Sequence, residues 1–67
     1  MTNEEVFRYI THQEPNPDPI EFEIQCKNLY KEAMQIIATP GYDMGAIVMA
    51  EFVIDNLHIQ QSTPTEK

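Results

Sequence analysis

Apolar residues recur along this chain at helical spacing, in three stretches separated by proline and glycine. Val6, Phe7 and Ile10 share one face of a short helix over about Asn3 to His12, with Tyr9 on its flank. Phe22, Cys26, Leu29, Ala33 and Ile36 fall in one stripe at 100° per residue, flanked by Tyr30 and Ile37. Lys27, Asn28, Lys31 and Gln35 lie opposite, so this stretch reads as a long amphipathic helix. Ile20 and Ile24, an i,i+4 pair on the polar side, are the expected seat for the first helix folding back.

The third stretch, about Met44 to Ile59, is apolar nearly all round. Glu51, Asp55 and His58 occupy a wedge of about 60° on a helical wheel, and nearly everything else is apolar. Ile47, Ala50, Ile54 and Leu57 make one seam, and Val48, Phe52 and Ile59 make another, with Met49 and Val53 between them on the back. Ile and Val favour strands. Yet Ile47 to Ile54 shows no alternation and the polar triplet has helical spacing, so the helix is preferred.

End signals agree with these segments. Thr2 and Glu5 have capping-box spacing, and Glu4 and Glu5 suit the positive end of the first helix. Three prolines between Glu14 and Pro19 forbid a continuous helix there. Asp18 then serves as N-cap with Pro19 at N1 and Glu21 at N3, opening a helix that runs to about Ala38, or about 30 Å. A break at Thr39-Pro40-Gly41-Tyr42-Asp43 precedes the third helix. The last eight positions, 60–67, carry no apolar periodicity and are expected to be a disordered tail after one small helical domain over 1–59.

The expected fold is therefore all-α: a short helix, a long amphipathic helix and an apolar third helix. Sixty-seven residues lie near the lower limit for a self-sufficient core. Two other helices can hardly cover both seams of the third, so a homodimer is expected to complete the fold. Val48, Phe52, Ile59 and Met49 would form that interface. Asn56 would fix its register, as a polar residue in an apolar seam can.

Charge narrows the function. Four Lys plus Arg against eleven Asp plus Glu give −7 and a pI near 4.4. Nucleic-acid binding rests on basic residues neutralising phosphates, so direct binding is not expected, nor is attachment to an anionic membrane. The longest unbroken apolar run, Ala46 to Ala50, is far short of the roughly 20 residues that cross a bilayer. The acidic opening lacks the basic and apolar regions of a secretory signal, and one cysteine forms no intrachain disulfide, so cytoplasmic residence is expected.

Candidate chemistry is sparse. Asp55-x-x-His58, with Glu51 one turn before, has a spacing that can bring two ligands to one metal on a helix, but carboxylates from a facing helix are missing from the expected apolar stripe. A solvated face explains the triplet more simply, and no metal is expected. Cys26 on the apolar stripe reads as a small buried hydrophobe rather than a nucleophile. His12 at a helix end needs only a dipole contact. No phosphate-binding glycine loop is present, and no cofactor is expected.

These features point to a non-catalytic protein-interaction module, an adaptor or regulator, with a protein partner. The main alternative is an inhibitor of a nucleic-acid-handling protein, whose carboxylates Glu14, Asp18, Glu21 and Glu23 imitate a phosphate array. A metal-dependent enzyme using Glu51, Asp55 and His58 is the third possibility.

Overall fold

A computed structural model describes residues 1–59, and the expected tail lies outside the described residues. The described chain is three helices: α1 over Asn3–Thr11, α2 over Pro19–Ala38 and α3 over Met44–Asn56. No strand occurs among the described residues, and the all-α expectation holds.

Each helix begins where its sequence signals place it. Thr2 accepts from the Glu5 main chain at 3.1 Å, and Glu5 accepts from the Thr2 main chain at 2.8 Å, completing the capping box. Asp18 accepts from the Ile20 N–H at 2.9 Å, with Pro19 behind it where an N–H is not needed. Asp43 caps α3 through the Ala46 N–H at 3.0 Å. The ends differ in device. His12 closes α1 in the left-handed region at φ 58, its N–H reaching the Arg8 carbonyl at 2.8 Å. Thr39 leaves α2 in an extended conformation, and Gly41, at φ 106, turns the chain towards α3.

α2 and α3 run antiparallel and make the principal packing of the molecule. The start of α3, at Ala46 and Ala50, lies beside Leu29, Ala33 and Ile36, while the segment after α3 reaches Phe22 and Cys26. The buried core is Val6, Phe7, Cys26, Ala33, Ala50, Val53 and Leu57. Three of these, Cys26 and Ala33 on α2 and Ala50 on α3, are small. Phe22, Leu29 and Ile36 pack against this core but stay half-exposed. The chain spans 34 × 33 × 18 Å. Eighteen ångströms admit at most two layers of helices with their side chains, so among the described residues no third layer covers the outer faces.

Three expectations need correction. α1 does not fold onto Ile20 and Ile24, which remain 70% and 47% exposed. It packs instead against α3 and the Phe22 edge of α2, with the Phe7 and Phe22 rings edge-to-face at 5.6 Å. The core-facing stripe of α3 includes Val53, expected on the back and in fact 2% exposed. α3 also stops three residues early: Leu57 is its extended C-cap, and His58 and Ile59 lie beyond the helix. The cause is a long-range contact. Asn3, in the first turn of α1, donates from Nδ2 to the His58 carbonyl at 2.7 Å and accepts at Oδ1 from the His58 N–H at 2.8 Å. This pairing uses the His58 main chain as a neighbouring strand would, which holds it extended.

Candidate protein-binding surfaces

The expected α3 interface divides into two parts. Val48 is 55% exposed, and Met49 is 38% exposed. With Met44, 75% exposed, Val48 sits on the outward side of α3 beside the exposed Glu51 and Asp55. Phe52, Ile59 and Asn56 are half-buried by the chain itself. Tyr9 of α1 lies 5.1 Å from Phe52 between ring centroids, so the first helix covers part of the seam. Asn56 donates from Nδ2 to the Phe52 carbonyl at 2.9 Å, a bond one turn back along its own helix. Tyr9, exposed yet seated on Phe52, was legible only as a flanking residue.

The acidic set is exposed throughout, but it is locally engaged. Glu14 pairs with Arg8 at 3.1 Å, and Glu23 pairs with Lys27 at 3.5 Å. Asp18 is spent as the α2 cap. Glu21 stands in the first turn of α2, where the helix dipole favours it. The loop carrying Glu14 is pinned by the Asn16 N–H donating to Gln25 Oε1 at 3.1 Å.

Glu51, Asp55 and His58 do not share a helix face, because His58 lies past the helix end. The i,i+3 ligand geometry expected of Asp55 and His58 is therefore not formed. Among the described residues no group of three His, Cys, Asp or Glu side chains is placed to hold a metal ion.

His58 instead borders a groove of about 470 Å³ where the starts of α1 and α2 meet the segment after α3. Pro19, Phe22, Cys26 and Ile59 supply its apolar lining, and Asn3, Glu4, Glu23 and His58 supply its polar lining. The Cys26 thiol is 2% exposed. Burial pushes its pKa up, and the charges of Glu4 and Glu23 push it the same way. That environment holds the thiol protonated, the opposite of what a nucleophile needs. A smaller apolar hollow of about 150 Å³ lies between α2 and α3, with Ile10, Leu29, Ile36 and Met49 around it.

Among the described residues no helix is long and apolar enough to cross a membrane. No family model matches the chain, and neither a curated protein nor a solved structure shows significant similarity to it.

Proposed function

We propose that the chain is a small acidic, non-catalytic interaction module, an adaptor or regulator in the cytoplasm that docks protein partners and pairs with a second copy of itself. One observation carries the reading: large apolar side chains stand open on the outward faces of both long helices. Met44 and Val48 on α3 are more than half exposed, as is Ile20 on α2. Among the described residues nothing covers them, and open apolar surface of this kind marks contact sites. Self-pairing would centre on Val48 and Met49, with the remaining open edges of Phe52, Asn56 and Ile59 at its border.

Sedimentation at micromolar concentration tests this. The expected result is a concentration-dependent dimer that Val48→Asp converts to a 7.8 kDa monomer. Unchanged helicity of the variant would locate the effect at the contact, since a charge forced into an apolar interface is costly. A monomer at every concentration, with or without the substitution, overturns the self-pairing.

The nucleic-acid-mimic reading has one observation in its favour: Glu14, Asp18, Glu21 and Glu23 are all exposed around the start of α2. Its pairing of Glu14 and Glu23 with cations weakens the array. Salt separates the readings, because mimicry fades steeply as charges are screened whereas apolar docking persists.

A further inference from the structure

We infer that the groove at the start of α1 and α2 receives a basic side chain of a partner protein, an arginine or lysine with an apolar neighbour. This deepens the interaction-module reading by naming the chemistry of one contact. The shape argument comes first. About 470 Å³ falls in the range of side-chain and small-molecule sites, and the groove joins an apolar lining to carboxylates. Phe22 and Ile59 can take the aliphatic stem of a long cation, which buries its methylenes while its head stays polar. Glu4 and Glu23 line the same groove: Glu4 offers the head a carboxylate, and Glu23 offers a second by exchanging its exposed pairing with Lys27 at 3.5 Å, a contact worth little in water.

Charge points the same way. The Cys26 thiol on the groove wall is raised chiefly by burial, and Glu4 and Glu23 both add to the rise, so their negative potential reaches the apolar lining. The net charge of −7 draws a basic partner towards this carboxylate-lined groove, which favours a heterologous occupant here. The chain's own tail fits poorly. Positions 60–67 hold one lysine, one glutamate and, apart from Pro64, no apolar residue to place on Phe22 and Ile59.

The test is a titration of the full-length, isotope-labelled protein with a short blocked peptide of sequence Leu-Arg-Leu, followed by amide NMR at low salt. The matched control replaces arginine with uncharged citrulline. Saturable shifts at Asn3, Glu4, Phe22, Cys26 and Ile59 are expected, weakened roughly tenfold by citrulline and by the double variant Glu4→Gln, Glu23→Gln. Both glutamates are exposed, and circular dichroism of the double variant verifies its fold.

Shifts that ignore both changes, or none at millimolar peptide, overturn the proposal. So does roughly tenfold tighter peptide binding in Lys67→Gln, which would make the tail the occupant. The same shifts on raising protein concentration without peptide would make it a second copy, also overturning the proposal. Val48→Asp leaves the groove untouched, so failure here and failure of the α3 contact are separable.

Discussion

Replacing Asn3 with alanine removes both hydrogen bonds that hold the His58 main chain. A typical intramolecular hydrogen bond contributes about 0.5–1.5 kcal/mol net. These two are exposed, so water can satisfy the freed His58 groups and the full desolvation penalty is not incurred. The expected loss is therefore about 1–2 kcal/mol. A chain of 67 residues has roughly 3–10 kcal/mol in total, so the effect is large in proportion. With a slope near 1 kcal/mol/M, the urea midpoint should fall by about 1–2 M, read as helicity. Hydrogen exchange gives the local test: the His58 amide should lose protection before the amides of α2. Asn3→Asp keeps the acceptor, loses the donor and adds a charge the helix start favours, so it should cost less than alanine. A midpoint unmoved by Asn3→Ala, with His58 exchange unchanged, would refute the reasoning.

Three further outcomes follow from the packing and caps. Val53→Ala should cost about 2–3 kcal/mol and Leu29→Ala about 1–2 kcal/mol, because Val53 is buried and Leu29 only half-buried; chemical denaturation showing the reverse order would contradict this core. Glu5 is held below the ordinary glutamate pKa, chiefly by the hydrogen bond from the Thr2 main chain. Its contribution is present above the ordinary pKa and is lost as pH falls through the lowered one, so the stability gap between wild type and Glu5→Gln should shrink on acidification, as urea midpoints at pH 7 and pH 3 would reveal. Gly41→Ala should lower stability by about 1–3 kcal/mol through backbone strain alone, measured by thermal melting, since φ is 106 and nothing lies within 4 Å of the added carbon.

Helix starts were the most legible part of the fold, because their signals are local. Thr2 with Glu5, and Asp18 with Pro19, act within four residues of one another, and both form as spaced. The long stripe on α2 was legible because its polar side is distinct. α3 was harder for the opposite reason: a helix apolar nearly all round carries little directional information, so Val53 could not be assigned to the core from the wheel alone. Its end was illegible because Asn3 determines it from 55 positions away. Ile20 and Ile24 misled because an apolar pair indicates stickiness but not which neighbour arrives. The groove could not be foreseen either. Its carboxylates come from two helices, and its wall closes only once the segment after α3 turns back.

The Asn3–His58 pairing also sets an order of events during synthesis. α1 is translated before α2 and α3, but nine residues are too few to hold a helix alone in water. Its docking surface on α3 and its partner at His58 are translated after α2. α1 must therefore wait, largely unstructured, until almost the whole described chain has emerged. α2, with twenty residues and complete end signals, is the segment able to organise in the meantime. A chain stalled or cleaved before His58 would release α1 with Val6 and Phe7 uncovered, a ready target for chaperones and proteases.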